Sequence, residues 1–438
     1  MDSNIEEFMK TNRYYSWLMA GVIALAGLSI TSCEDEPDKY EIASGMPTIH
    51  YIRSPYLATA DSLMTGAYMG NTICIVGDNL RSIVEMYFND QAAVLNTSYM
   101  TDHTILVNVP NTLPELPTDK IYMVTSGKDT VSYDFSVLIP KPEVSSMSCE
   151  FANPGEEVVI YGDYFLDYDN APLTVTMAGG MPVTDIKSIT KTAITFTIPA
   201  GAEPGKITVT SKYGSGTSKF SYHEPGSKGA MLFDFDDDGD EALAKGMGWR
   251  SGNIHNDEHS LDGGYLYLGK TTVNGSDWKE DEYAFNYWPT EASNLSTIPS
   301  VAKLLEATKD VGDLALKFEV QVPSASPWSS LGMQLIFTPL DLVSDSHKTN
   351  GYYGNTSLPR GIWIPWAQTG PYDTADKWVT VSVPLANFNK THMGAACDTK
   401  FAKEMIQGFT IFVYQGGVEG EASAPEFFID NIRLVTVE

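Results

Sequence analysis

The sequence has few basic residues and few cysteines, and both shortages exclude classes of function. Only 28 Lys and Arg residues accompany 56 Asp and Glu residues, which gives a formal net charge of -28. Such a charge repels phosphate backbones, so nucleic acid is excluded as a partner, whereas a neutral ligand meets no repulsion. Cys74, Cys149 and Cys397 lack metal-ligand and redox spacing, so we expect small buried residues at these positions.

An apolar run long enough to cross a membrane as a helix is also lacking at the start of the chain. The run from Trp17 to Ile30 is shorter than the roughly 20 residues that a span requires. Lys10 and Arg13 precede it and small residues follow it, which is the pattern of a secretory signal peptide. We therefore assign residues 1–32 to a signal peptide.

Cys33 follows Ile-Thr-Ser, and this ending resembles the lipobox of bacterial lipoproteins. The resemblance implies cleavage before Cys33 and lipidation of its thiol, so that lipid anchors the chain to a membrane. The acidic residues 34–36 resemble the surface-export signal of Bacteroidetes lipoproteins, which implies the outer face of the outer membrane. Residues 33–45 are then a polar tether.

Helical periodicity is nearly absent beyond the tether, and short alternating strands predict an all-β chain. Two stretches repeat at an offset of one domain length: GNTICIVGDNL begins at Gly70 and GEEVVIYGDYF begins at Gly155. A second pair, ILVNVP from Ile105 and ITFTIP from Ile194, follows in the same order. The repeat predicts two copies of one β-sandwich.

The repeated glycines Gly77 and Gly162 are expected to end their strands in a turn that a residue with a Cβ resists. The pattern resembles the immunoglobulin-like TIG (IPT) domain: a Gly, an aliphatic strand, Gly-Asp, and later an Ile-x-x-x-Val/Ile-Pro segment. The resemblance implies two tandem TIG sandwiches, at residues 46–140 and 141–224. Because such domains have many roles, it indicates a spacer more than a function.

Residues 229–438 are predicted to form a larger, jelly-roll-like β-sandwich. Its opening Phe233–Phe235 and its closing Phe428–Leu434 resemble the terminal strands of jelly-roll carbohydrate-binding modules, which lie side by side. The chain resembles the surface glycan-binding protein B family of Bacteroidetes polysaccharide-utilisation loci in three features taken together: the lipobox, the tandem TIG domains and this C-terminal ending. That resemblance implies capture of xyloglucan or a related β-glucan or hemicellulose for an outer-membrane glycan transporter.

Seven of the eight tryptophans lie beyond residue 248, in the predicted sandwich. Pyranose rings present an apolar C–H face that stacks on an aromatic ring, while their hydroxyls bond to polar side chains at the ring's edge. Aromatic residues in loops rich in Gly, Pro, Ser and Asn are the best candidates, since loops carry binding residues disproportionately. The predicted glycan-binding residues are Trp288, Trp328, Tyr352, Tyr353, Trp363 and Trp366. Pro365 is expected to introduce a bend that lets Trp363 and Trp366 face one side.

Clustered carboxylates around Asp236 and Asp238 suit a structural calcium ion, which Asp430 could share, although a solvated acidic loop is the alternative. No other cofactor is expected. The sequence contains no Gly-x-Ser-x-Gly elbow, no phosphate-binding loop and no Glu-x-Asp-x-x-Glu strand, so we expect no enzyme. Two alternatives stay open: an adhesin whose TIG domains bind protein, and a glycoside hydrolase whose carboxylates meet only in space.

Overall fold

The computed structural model describes residues 40–59, 61–236, 253–344, 346 and 351–437. These residues form two compact units, one ending at Leu138 and the other beginning at Ile139. Nearly all regular structure is β, as predicted. Within the described residues, no helix has the length and apolar character needed to cross a membrane. The predicted signal peptide, 1–32, and the predicted lipidation site, Cys33, lie outside the described residues.

The first unit is built from short strands in separate small sheets. The strands are β1 (Thr48–Arg53), β2 (Gly66–Tyr68), β3 (Thr72–Asp78), β4 (Ile83–Phe88), β5 (Gln91–Ala92), β6 (Thr104–Asn108), β7 (Lys120–Thr125), β8 (Thr130–Asp134) and β9 (Ser136–Leu138). They pair in the orders β1-β3-β6, β5-β4-β7-β8 and β2-β9. Alternating burial along β7 and β8 places one face of their sheet on the core.

The second unit begins with another sandwich of the same plan. Its strands are β10 (Glu143–Met147), β11 (Glu157–Asp163), β12 (Thr174–Thr176), β13 (Ile186–Ile189), β14 (Ala193–Thr197), β15 (Thr208–Ser211) and β16 (Gly214–Thr217). The sheet orders are β10-β11-β14-β13 and β12-β15-β16. In both repeats a bulged first strand pairs with the strand that carries the Gly-Asp motif.

The two repeated glycines are required by close packing of that neighbouring strand. A Cβ at Gly162 would lie 1.8 Å from the carbonyl oxygen of Glu143, and β1 crowds Gly77 in the same way. Sequence analysis expected a turn conformation reserved for glycine. The left-handed backbone belongs instead to Asn79 and Tyr164, two residues further on, each with φ 57°.

The larger sandwich completes the second unit. Its strands are β17 (Gly229–Phe233), β18 (Ile254–His255), β19 (Tyr265–Gly269), β20 (Ala284–Tyr287), β21 (Leu314–Gln321), β22 (Met333–Thr338), β23 (Gly361–Trp363), β24 (Val379–Pro384), β25 (Gly408–Val413) and β26 (Glu426–Thr436). One sheet has the order β18-β19-β26-β21-β24 with β17 also paired to β26, and the other has the order β20-β25-β22-β23. The predicted pairing of the first and last strands is confirmed.

Helices are few and short in the described residues, and all three α-helices belong to the larger sandwich. They are α1 (Glu280–Tyr283), α2 (Pro299–Ala307) and α3 (Trp366–Thr369). Pro299 stands at the first turn of α2, where a missing N–H costs no hydrogen bond. Lys403 Nζ donates to the carbonyl oxygen of Leu305 at the other end of this helix.

Strands β20, β22 and β25 are buried on both faces. Their inner face packs on the main core between the two sheets. Their outer face carries a second apolar cluster, which includes Ile336 and Phe412, because residues 351–360, just before β23, fold back over the sheet. This covering segment decides where aromatic rings can meet solvent.

A buried ion network joins the second TIG-like sandwich to the larger one. Arg433, which is fully buried, donates to both carboxylate oxygens of Glu319 at 2.6 and 3.0 Å and to Glu150 at 2.8 Å. Lys317 donates to the other oxygen of Glu150, and the Phe151 ring lies 4.7 Å from the guanidinium carbon. The contact between the two sandwiches therefore contains two cations and two carboxylates, so that their formal charges cancel.

Candidate functional site

Trp328 lies in the core, not in an exposed loop as predicted. Its side chain is 0% exposed, and its indole Nε1 donates to the carbonyl oxygen of Ser330 at 2.6 Å. The backbone bridges to Tyr372, which draws this loop onto the sheet, and the ring meets Phe427 edge to face at 5.0 Å. The expectation of a solvent-facing ring is wrong for Trp328.

Trp363 and Trp366 pack on the same core, Trp366 as a buried member and Trp363 as a partly buried one. Trp366 is 6% exposed, and its Nε1 donates to the carbonyl oxygen of Leu331 at 2.9 Å. Trp363 is half-buried, with its ring centroid 5.3 Å from that of Trp328. The pair shares one side as expected, but that side faces the interior.

Tyr352 and Tyr353 belong to the covering segment, and their side chains are buried between it and the sheet. They are 1% and 0% exposed, and their hydroxyls donate to Asn286 Oδ1 at 2.8 and 2.7 Å. Trp288, at 9% exposure, belongs to the same apolar cluster. The prediction of exposed rings is wrong for Tyr352 and Tyr353, because Gly-rich composition does not reveal a segment that folds back onto a sheet. For Trp288 the sequence left a sugar platform and a core position equally open, and the structure places it in the core.

Arg360 fixes the covering segment from inside. Its guanidinium is fully buried and donates to Gln334 Oε1 at 2.8 Å and to the carbonyl oxygens of Tyr353 and Tyr352 at 2.7 and 3.1 Å. Burial lowers the pKa of Arg360 to about 10, which leaves it charged at neutral pH. One side chain thus ties the segment's main chain to β22.

The predicted calcium ligands are only partly within the described residues, since Asp238 lies outside them. Asp430 is fully buried, and burial and the nearby Asp262 and Asp236 carboxylates raise its pKa well above the usual range. Asp236 accepts from the backbone N–H of Gly264. No group of three His, Cys, Asp or Glu side chains in the described part of the chain is arranged to hold a metal ion. Calcium binding therefore stays a prediction.

Trp278 is the tryptophan that the described structure exposes, at 46%. It stands just before α1, and its Nε1 donates to the Glu280 carboxylate at 3.2 Å. Three aromatic rings support it at the edge of the four-stranded sheet: those of Tyr353, Phe412 and Tyr414, with ring centroids 5.4, 5.3 and 5.0 Å away. Buried neighbours thus hold the ring in one orientation while part of it meets solvent.

Further rings continue from Trp278 across the end of β25. Tyr414 stacks on Phe412 at 5.0 Å with an interplanar angle of 8°, and His392 lies parallel to Tyr414 at 6.4 Å. Burial and the charge of Arg360 lower the pKa of His392, so its imidazole is neutral at neutral pH. We call Trp278, Glu280 and the half-buried His392 the Trp278 surface, and Tyr414, which is only 9% exposed, supports it from beneath.

The Trp278 surface combines apolar rings with polar groups at their edges. A carboxylate lies beside the indole, and the half-buried imidazole of His392 lies beyond Tyr414. This is the composition that a neutral sugar requires: a flat apolar face for its C–H side and acceptors or donors for its hydroxyls. The acidic character of the chain adds discrimination against anionic ligands.

Trp278 is one of the seven tryptophans beyond residue 248 but is not among the predicted glycan-binding residues. The residue stands in Ser-Asp-Trp-Lys-Glu-Asp-Glu, the most charged context of any tryptophan in the chain. A large ring surrounded by Asp277, Lys279 and Glu280 lacks apolar neighbours in sequence that would draw it into a core. The charged residues on both sides of Trp278 are the sequence signal for its exposure. They indicate a solvent-facing ring better than the Gly, Pro, Ser and Asn content of a loop does.

Comparisons with known proteins agree with this architecture. Residues 226–436 match a family model described as the surface glycan-binding protein B xyloglucan binding domain, and residues 142–224 match the IPT/TIG domain. The crystal structure of surface glycan-binding protein PbSGBP-B from Prevotella bryantii is 38% identical, with a TM-score of 0.81. The match covers 90% of this chain and 99% of that one.

A curated relative gives a narrower match. An IPT/TIG domain-containing protein from Bacteroides ovatus is 29% identical over 225 residues, which is 47% of this chain and 44% of the relative. The chain therefore spans less than half of the length of that relative.

Proposed function

The chain belongs to the surface glycan-binding protein B family, and on that premise we propose that it captures a neutral β-glucan or hemicellulose, of the xyloglucan class, without cleaving it. The observation that carries the proposal is the Trp278 surface, since it lies within the residues that match the family's xyloglucan binding domain. An exposed indole held by three rings is preorganised, so little rotamer entropy is lost when a sugar stacks on it.

Replacement of Trp278 by alanine tests this assignment. We expect at least about tenfold weaker binding, equivalent to about 1.4 kcal/mol, because a central aromatic anchor supplies a large share of the binding free energy. The measurement is retention in native gels that contain xyloglucan, followed by calorimetric titration. Trp278→Phe should keep part of the affinity, because it keeps a smaller ring.

Tyr99→Ala provides the matched control, since Tyr99 is 58% exposed in the first unit and lies outside the proposed surface. Its retention should equal that of the unmodified protein. Equal retention of Trp278→Ala in gels of every polysaccharide that binds the unmodified protein would refute the assignment. Release of reducing ends from those polysaccharides would contradict the non-catalytic part of the proposal.

We further propose that the chain is held at the outer face of the outer membrane by lipid on Cys33 and delivers its glycan to an outer-membrane transporter. The lipobox-like ending and the acidic residues 34–36 support this location. The family's description as surface proteins is consistent with it. Cys33→Ser should move the protein out of the membrane fraction of cells, and an unchanged membrane fraction would contradict lipidation.

A further inference from the structure

A cleft of about 410 Å³ separates the second TIG-like sandwich from the larger sandwich within the second unit. One wall is the outer face of β11, and the other is the loop that leads into β24. An aromatic ring stands on each wall: Tyr161 is 45% exposed, and Trp378 is half-buried. This cleft is distinct from the Trp278 surface, which belongs to the other sheet of the larger sandwich.

Tyr161 is not required by the fold. The register of the internal repeat aligns it with Val76 of the first unit, so the same strand position is satisfied there by a smaller residue. Neighbouring residues in β11 alternate, with Val158 and Ile160 buried and Glu157 and Tyr161 exposed. The exposed phenol ring of Tyr161 is therefore a feature of this copy, and it lines the cleft.

Trp378 is held firmly on the opposite wall. Its Nε1 donates to the carbonyl oxygen of His259 at 3.1 Å, and its ring lies 6.2 Å from that of Tyr265. The indole hydrogen-bond donor is therefore occupied, and what the side chain offers the cleft is its ring. An apolar ring face without a free donor suits the C–H side of a pyranose.

Main-chain contacts between the two sandwiches keep the walls in place. The backbone N–H of Thr380 donates to the carbonyl oxygen of Ser148 at 2.8 Å, and its hydroxyl accepts from the backbone N–H of Glu150 at 2.7 Å. Asn153 Nδ2 donates to the carbonyl oxygen of Leu261 at 2.6 Å. A cleft with fixed walls loses little entropy when it binds a stiff ligand.

The charges around the cleft select a neutral ligand. Glu156, Glu157 and Asp376 contribute carboxylates, whereas Lys377 is the only cation in its lining. Asp376 is fixed by hydrogen bonds from the Ser324 backbone N–H at 2.9 Å and from its hydroxyl at 2.8 Å. Uronic acids and phosphates would meet net repulsion, while sugar hydroxyls can donate to these oxygens.

We infer that this cleft is a second glycan-binding site, in which Tyr161 and Trp378 hold one segment of a neutral polysaccharide. The inference rests on the proposed function for the identity of the glycan. Two sites on one chain let a long polysaccharide bind with avidity, whereas a short oligosaccharide occupies each site independently.

Tyr161→Val tests the site with the least risk to folding, because valine already occupies the aligned position of the first unit. The full chain is titrated calorimetrically with a xyloglucan oligosaccharide, as unmodified protein, Tyr161→Val, Trp278→Ala and the double variant. We expect a stoichiometry of two oligosaccharides per chain for the unmodified protein, one for each single variant, and loss of binding in the double variant.

Three results separate the two proposals. If Tyr161→Val leaves stoichiometry and affinity unchanged in both backgrounds, the cleft is not a site, whatever Trp278 does. If Trp278→Ala changes nothing but Tyr161→Val abolishes binding, the cleft is supported and the Trp278 surface is refuted. If the unmodified protein binds no neutral glycan in this titration or in polysaccharide gels, both proposals fail.

Discussion

Replacement of Arg433 by methionine should destabilise the second unit by about 3–5 kcal/mol, because it leaves buried carboxylates without their cation. Arg433 is fully buried and makes three hydrogen bonds of 2.6 to 3.0 Å to Glu319 and Glu150. Glu319 is itself fully buried and keeps no other cation within salt-bridge distance among the described residues. Glu150 retains Lys317, so most of the loss arises at Glu319.

The same substitution should make stability depend on pH. Burial raises the pKa of the Glu319 carboxyl, and Arg433 is the largest influence that lowers it. Without Arg433 that pKa rises further, so the folded variant binds a proton that the unfolded chain releases. Stability gained from that proton is present at acidic pH and is lost as pH rises through the raised pKa. The destabilisation should therefore be smaller at about pH 5 than at about pH 8.

Urea unfolding followed by tryptophan fluorescence measures the effect, since seven of the eight tryptophans lie beyond residue 248. The double variant Arg433→Met, Glu319→Gln should recover most of the loss, because it removes the unpaired charge together with its partner. Glu419→Gln, at an exposed carboxylate of the same unit, serves as a surface control. A loss below about 1 kcal/mol that is also independent of pH would refute the reasoning, since it would place the network in a solvated environment.

Two further predictions concern the backbone and a buried carboxyl. Gly162→Ala should destabilise the protein by about 1–3 kcal/mol, because the new Cβ would lie 1.8 Å from the Glu143 carbonyl oxygen. Gly354→Ala is the control: there is open space around its Cβ, so the midpoint of urea unfolding should change little. Asp430→Asn should be more stable than the unmodified protein at neutral pH without calcium. The raised pKa of Asp430 means that its favourable contribution is present at acidic pH and lost as pH rises. A calcium-induced rise in the melting temperature of the unmodified protein that the variant lacks would instead identify Asp430 as a cation ligand.

The fold could be predicted from the sequence because its signals are local and repeated. Short alternating apolar segments predicted an all-β chain, and the internal repeat predicted two sandwiches of one plan. The role of Gly162 was predicted incorrectly, since the clash that requires glycine comes from a carbonyl oxygen in another strand. A contact between distant segments leaves no local signature.

The candidate site could not be predicted in the same way. The aromatic residues chosen from loop composition, such as Trp328 and Tyr353, are buried because their loops fold back onto a sheet. Whether a loop extends into solvent or covers an apolar face depends on partners far along the chain, and Asn286 is such a partner for Tyr353. Trp278 has charged residues on both sides in sequence, and this local polarity is the signal that predicts its exposure.

The way Arg360 holds the covering segment has an evolutionary consequence. Its guanidinium contacts carbonyl oxygens of the segment, and carbonyls are present whatever side chains the segment carries. Descendants of this protein could therefore exchange the outward-facing residues of the covering segment, which border the Trp278 surface. The hydrogen bonds from Arg360 to the main chain would be kept. Diversity of ligand within such a lineage would then concentrate in this one stretch, while the arginine itself stays constant.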